Sequence, residues 1–230
     1  MLLRSPIFCI QCIIMPLLDP IIILVIILGF LKFADKVGMD LISSFHEIIK
    51  SGLGGFIFLG TSQVFFMMNF SSIIAVSKER NNAIISKVLP ISFIKQFNLK
   101  IVIGLIINLF TSILVSIAFY IFTKELLNTA ILLIVLTCLS LISEKIKLLI
   151  DLKNPSLVWN SEYTMMKQNT NVMYELFYTV LITGVLLIIS KIINDFEIYI
   201  FICLIVCIFI IIFLIRYIKE NQKKLFKKVF

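Results

Sequence analysis

The residues of this chain that can do chemistry are few, and their spacing limits what they can do. Cys9 and Cys12 stand at the C-x-x-C spacing of a redox pair or half a zinc site. No second ligand pair and no surrounding soluble fold accompany them, so a packing role is the expectation. The one histidine, His46, is far in sequence from any cysteine or carboxylate cluster and reads as a solvated surface residue. No G-x-x-x-x-G-K-[ST] phosphate loop is present, so the chain is not its own ATPase of that class. An H-E-x-x-H pair, a paired aspartate dyad and a Ser–His couple are equally missing, which disfavours an intramembrane hydrolase. The chain is therefore expected to be no enzyme, with no catalytic residue, metal or cofactor site of its own.

A second group of polar residues lies inside apolar sequence. Asp19 stands between Pro16 and Pro20, where a kinked helix leaves carbonyls in need of partners. Ionisable residues at membrane depth usually face a bundle interior or water, and Asp19 is expected to do so. Glu175 is one turn into its apolar block, close enough to the edge for simple snorkelling. Asn108, Ser112, Ser116 and Tyr120 recur every four residues along one helical face, and Ser62 and Asn69 are seven apart. Such rows glue helices together or line a pathway, and glue is the commoner role. Cys203 and Cys207, one turn apart, read as small packing residues. Ser51, Gly52, Gly54 and Gly55 suit close backbone approach.

Composition says which elements must hold these residues. Hydrophobic residues make up 60% of the chain and charged ones 15%, with a mean hydropathy of +1.11. A soluble domain has roughly 45–50% and 25%. The expected class is an all-α polytopic integral membrane protein, one transmembrane domain over 1–230. Six spans are expected at about 7–31, 52–76, 101–122, 126–142, 172–190 and 198–215. The short links 123–125 and 191–197 should make spans three to four and five to six tight antiparallel hairpins. No cleavable signal peptide is evident, because the first apolar block outruns an h-region and no small-residue cleavage site follows.

Orientation follows from Lys and Arg. Arg4, five residues in 77–100, four in 143–171 and six from Arg216 onward place sixteen positive charges on one side. Lys32, Lys36, Lys50, Lys124 and Lys191 place five on the other. Both termini, the loops 77–100 and 143–171 and the basic tail 216–230 are expected in the cytoplasm, so the net charge of +8 implies no nucleic-acid partner. The Ile, Lys, Asn and Phe content hints at an AT-rich bacterial genome.

The loop 77–100 interrupts the apolar blocks with Lys78, Glu79, Arg80, Lys87, Lys95 and Lys100. Within it Ile84, Ile85, Val88 and Leu89 share one face of a short amphipathic helix. Pro90 should end that helix and Ser92 should cap the next. The helix is either a docking element for a cytoplasmic partner or a connector lying on the membrane surface. In the loop 143–171, residues 143–152 should prolong span four as a charged helix until Asn154-Pro155 breaks it. Trp159, Tyr163, Met165 and Met166 then read as a helix at headgroup level.

Two loop patterns carry a resemblance. Asp151-Leu152, Pro155, Leu157, Trp159 and Glu162, followed by Lys167-Gln168-Asn169 and Asn171, form D-L-x-x-P-x-L-x-W-x-x-E and K-Q-N-x-N. Ser77-Lys78-Glu79-Arg80 precedes Lys87-Val88-Leu89-Pro90-Ile91-Ser92, and the chain opens Leu3-Arg4-Ser5-Pro6. In this order they resemble a family of bacterial ABC-type export permeases, over nearly the whole chain. Those permeases are about twice this length, and the chain looks like their C-terminal six-span half. The resemblance implies a transmembrane subunit of an ATP-driven exporter in the bacterial cytoplasmic membrane. ATP and Mg would sit on a separate cytoplasmic ATPase that engages the 77–100 loop. It leaves open a second permease half, a second copy of the chain, or a truncated remnant, and it names no substrate. The alternative function is a non-catalytic membrane scaffold or accessory subunit.

Overall fold

The computed structural model describes residues 5–36, 47–79, 90–167 and 169–228. Among these the chain is helical, and β pairing is confined to one isolated bridge between Ser51 and Asp195. Five stretches are long and apolar enough to cross a membrane: Pro6–Ile26, Phe93–Thr123, Leu126–Lys153, Glu162–Ile192 and Phe196–Gln222. This is consistent with a multi-pass membrane protein.

The first stretch runs through α1 (Pro6–Cys9) and a wide π turn (Ile10–Ile14) into α2 (Met15–Lys36), which continues past it. Ser5 caps it, its hydroxyl accepting from Phe8 N at 3.4 Å, and Pro6 takes a first-turn position that needs no N–H donor. The wide turn ends just before Pro16, and Pro20 stays inside α2.

The second expected span is corrected. Instead of a helix through 76, α3 (Gly52–Met68) has 17 residues and stops at Asn69, whose backbone is extended. The chain then turns repeatedly through 69–79, and every residue from Ser71 to Ser77 is buried. A buried non-helical segment must find internal partners for its backbone.

Helix α4 (Phe93–Thr123) and α5 (Leu126–Lys153) form the expected tight hairpin. Lys124 turns the corner in the left-handed region at φ 55°, donating its N–H to Tyr120 O at 2.8 Å. Ser92 occupies the cap position of α4, but its hydroxyl makes no cap bond. On α5, Leu132, Val135, Leu136, Leu139 and Ile142 form a buried apolar stripe at helical spacing.

After the short helix α6 (Glu162–Lys167) come α7 (Thr170–Ile192) and α8 (Phe196–Lys228). Their link is short, but they do not form the expected tight pair. Helix α7 leans mainly on α3 and α8 on α5, with slight contact between them. Gly52 N donates to Asn194 O at 2.7 Å, which draws the link onto α3 and splays the two helices. The basic tail continues α8 as helix to Lys228.

Candidate functional site

The site grows from one face of α5. Glu144, Lys147 and Asp151 are spaced three and four apart, so they continue the apolar stripe on the same side. All three are buried: Lys147 is 1% exposed and both carboxylates 0%. The expectation that residues 143–152 prolong the helix holds, but Glu144, Lys147 and Asp151 turn inward rather than toward water.

Lys147 is the centre. Its ammonium donates to Phe66 O, to Asn69 O at 2.9 Å and to Glu144 Oε1 at 3.3 Å, and lies 2.9 Å from Glu175 Oε1. Two of these acceptors are carbonyls at the end of α3, so a lysine from another helix caps it with charge of the favourable sign. This is why α3 stops where hydropathy would carry it on. Asn69 completes the end. Its Nδ2 donates to Gly104 O at 3.0 Å and to Asn108 Oδ1 at 2.8 Å, while its Oδ1 accepts from Ser71 N and the Ser71 hydroxyl.

Glu144 accepts from Asn108 Nδ2 at 2.8 Å and from the Ser72 hydroxyl. A Cβ added to Gly104 would fall 1.9 Å from Glu144 Oε2, so only glycine lets α4 come this close. Asp151 accepts four donors: Val76 N at 2.6 Å, Ser77 N at 3.1 Å, the Ser77 hydroxyl, and Asn171 Nδ2 at 3.0 Å. The turns 69–79 are thus clamped along α5 by Lys147 at one end and Asp151 at the other.

The clamp gathers residues far apart in sequence. Ser156 N donates to Ser77 Oγ at 2.9 Å, and Trp159 Nε1 donates to Ser77 O at 3.2 Å. The Trp159 ring meets Phe8 edge-to-face at 6.2 Å, and the Ser5 hydroxyl donates to Glu162. Met165 and Met166, expected at headgroup level, are buried against the cluster of Phe8, Cys12, Ile73 and Ile74; only Tyr163 is exposed. Asn169 caps α7, accepting from Asn171 N at 3.0 Å. Lys78 is half-buried, and that burial pushes its ammonium pKa down against the opposing pull of Cys12 and Glu79. Glu79 pairs with Lys100 at the base of α4.

The residues expected inside the membrane differ in burial. Asn69, Asn108, Ser112 and Ser116 are buried, and the Asn69–Asn108–Glu144 chain joins the end of α3 to α4 and α5. Tyr120, last of the four-residue row, is exposed. Snorkelling of Glu175 is overturned: the residue is 0% exposed and ion-paired with Lys147. Asp19 is half-buried on α2, away from this cluster, with no hydrogen bond to the described residues. Cys203 and Cys207 are buried packing residues, and Cys12 packs with Phe8. Pro155 sits half-buried in the turn after α5, Pro90 is exposed, and Lys167 ends α6. Arg80, Ile84, Lys87, Val88, Gln168 and His46 lie outside the described residues. Glu144 and Lys147 are the partners that sequence reading missed, and Asp151 entered it only through the loop pattern; the signal was their phase with the buried stripe of α5. No family model, no curated protein and no solved structure matches the chain.

Proposed function

We propose that the chain is the transmembrane permease half of an ATP-driven exporter of the ABC type, working with a separate cytoplasmic ATPase. In this reading it spans the bacterial cytoplasmic membrane six times, with α3 as the short second span and both termini inside. With Lys147 buried, fifteen positive charges still stand against five, which supports placing both termini inside.

One observation carries the proposal. Described residues from each of the three stretches that bear the resemblance meet at one end of the bundle. Ser5, Ser77, Asp151, Trp159, Glu162 and Asn171 are linked through hydrogen bonds and the Phe8 ring contact. A force applied to the 77–100 loop would therefore reach α3, α5 and the start of α7 through Ser77 and Asp151. Such an end suits a chain pushed from the cytoplasm better than a passive scaffold. The other half of the exporter would be a second permease chain or a second copy of this one.

The test is co-purification from native membranes in mild detergent. A partner ATPase should accompany the wild-type chain. Ile84→Asp with Val88→Asp should remove it while membrane levels hold, since unpaired charge at a docking face costs about 2 kcal/mol or more. An unchanged complex would overturn docking through this face. A phosphatase reporter fused after Phe230 should be inactive and one at Asp40 active.

A further inference from the structure

The three buried carboxylates around α5 are not equally provided for. Asp151 accepts four donors, two of them backbone N–H groups, and Glu144 accepts Asn108 Nδ2, the Ser72 hydroxyl and Lys147. Each of these two carboxylates thus has three or more donors to balance its oxygens. Glu175 has only the ion-pair contact of its Oε1 with Lys147, and neither of its oxygens has a hydrogen-bond partner among the described residues. Lys147 has three protons to give and four acceptors around it, two of them carbonyls of the α3 end. If Glu144 and Glu175 were both ionised, one ammonium would face two carboxylates in a site closed to water. Buried uncompensated charge of that kind is strongly unfavourable, and one bound proton removes it.

We propose that Glu175 is a proton-binding site: it holds a proton in this packing, and losing that proton loosens the end of α3. The carboxyl O–H bond breaks, its electron pair stays on the carboxylate, and the proton passes to hydroxide of the alkaline solvent as this end of the bundle opens. The new anion then draws a Lys147 proton from Phe66 O or Asn69 O, uncapping α3 and the buried turns 69–79. The groups facing Glu175 define the site. From α5 come Lys147 and Glu144, with Asp151 turned to Ser77 and Asn171. From α7 itself comes Tyr178, within electrostatic reach of Glu175, and α8 sets Cys207 beside that tyrosine. Helix α3 has no titratable residue but contributes Gln63, buried with its Nε2 unpartnered among the described residues, as is the Tyr178 hydroxyl. Helices α3 and α7 run antiparallel, so Gln63, one turn before Phe66, and Tyr178, one turn after Glu175, lie on the same side of the ion pair. The Glu175 carboxyl thus belongs to a seam that has further unpartnered polar atoms. This inference stands on the Glu144–Lys147–Glu175 triad and does not depend on the exporter reading.

Infrared spectroscopy of the full chain in lipid nanodiscs tests it, reading the carbonyl stretch of protonated carboxylic acids at neutral pH. With glutamate carboxyls labelled with carbon-13, the wild type should show one such band, isotope-shifted and lost at alkaline pH. Glu175→Gln should abolish the band. Glu175→Asp should keep it without the isotope shift, identifying the residue even if the glutamine variant fails to fold. A folded wild-type chain with no protonated-glutamate band at neutral pH overturns the proposal, as does a band indifferent to both substitutions. The uncapping is read by maleimide labelling of Ala75→Cys in a chain whose five native cysteines are alanine. Labelling should rise as the band disappears and stay low at both pH values in Glu175→Gln. Labelling that stays flat while the band is lost overturns the link to the α3 end.

Discussion

The two ends of α3 are held by opposite means. At its N-terminal end Gly52, Gly54 and Gly55 admit backbone and rings at distances that no side chain would allow. An added Cβ would fall 1.9 Å from Ile193 O, 2.2 Å from Ile49 O and 2.5 Å from Tyr199 Cδ1. Phe119 completes that end, edge-to-face on Phe58 at 5.1 Å and stacked on Phe196 at 4.9 Å. At the C-terminal end, packing gives way to exchangeable hydrogen bonds and charges from Asn69, Glu144, Lys147 and Asp151. A close-packed end has one arrangement, because steric contacts cannot be traded. A hydrogen-bonded end has several, because Lys147 can redistribute three protons among four acceptors. The molecule therefore has a fixed end and a switchable end on the same helix.

The largest expected effect breaks the switchable end. Lys147→Met leaves Glu144 and Glu175 buried without their cation, and removing one partner of a buried pair costs about 3–5 kcal/mol. Thermal unfolding in detergent should show this as a large fall in midpoint or a failure to accumulate. The comparison sharpens if Lys147→Met is combined with Glu144→Gln and Glu175→Gln. With no buried charge left in the triad, most of the lost stability should return. A triple variant as unstable as the single one would mean that Lys147 acts mainly through the carbonyls of Phe66 and Asn69.

Next come the glycines. Gly52→Ala should destabilise the fixed end by about 1–3 kcal/mol, the usual range for overpacking, because its obstacle is backbone. Gly104→Ala meets a carboxylate instead, and its penalty should fall in the same range. The two should part in response to a second change: Glu144→Ala opens space for the alanine at 104 and none for the one at 52. Unfolding midpoints of the single and double variants check this.

This contrast also explains what the sequence could reveal. The fixed end was legible, because three glycines in a row of apolar residues have few other uses in a span. The long helices were legible from hydropathy, and the α4–α5 hairpin from its short polar link. The end of α3 was not, because residues 69–76 are about as apolar as the helix before them. What stops the helix is Lys147, far along the chain. Glu144, Lys147 and Asp151 looked like loop charges, since charge in a polar stretch ordinarily faces water. Their phase was the available sign: steps of three and four from the stripe through Leu136 and Ser140 lead onto all three. Glu175 looked able to snorkel because sequence shows depth along a helix but not which side its neighbours occupy. Residues 80–89, where the amphipathic helix was expected, lie outside the described residues.

A smaller effect is expected where the switchable end meets the second loop. Trp159 is the one tryptophan of the chain, so its fluorescence reports on this junction directly. Ser77→Ala removes a hydroxyl that donates to Asp151 and accepts from Ser156 N, and should cost about 1–3 kcal/mol by leaving buried groups unpaired. Trp159 emission should move to longer wavelength as the loop loosens, whereas Gly52→Ala, at the far end of α3, should leave it unchanged. Emission that responds equally to both would mean that the two ends are not mechanically separate.

The smallest effect should come from the rim, and it tests whether the buried charges are special. Lys100 pairs with Glu79 where α4 begins, and both side chains keep partial contact with water at 20% and 28% exposure. Partly exposed pairs contribute about 0–1 kcal/mol, and salt screens them. Lys100→Met should therefore shift the unfolding midpoint only slightly at low ionic strength and not at all at high. Glu79→Gln should behave alike, and the double variant should match either single one within error, because each already removes the whole pair. The deficit of Lys147→Met should persist at every salt concentration, since ions do not reach a site with no exposed surface. Two lysine–glutamate contacts would then differ by several kcal/mol and in salt response, with burial as the cause. If Lys100→Met proves as damaging as Lys147→Met, the boundary between rim and interior at this end of the bundle has been drawn in the wrong place.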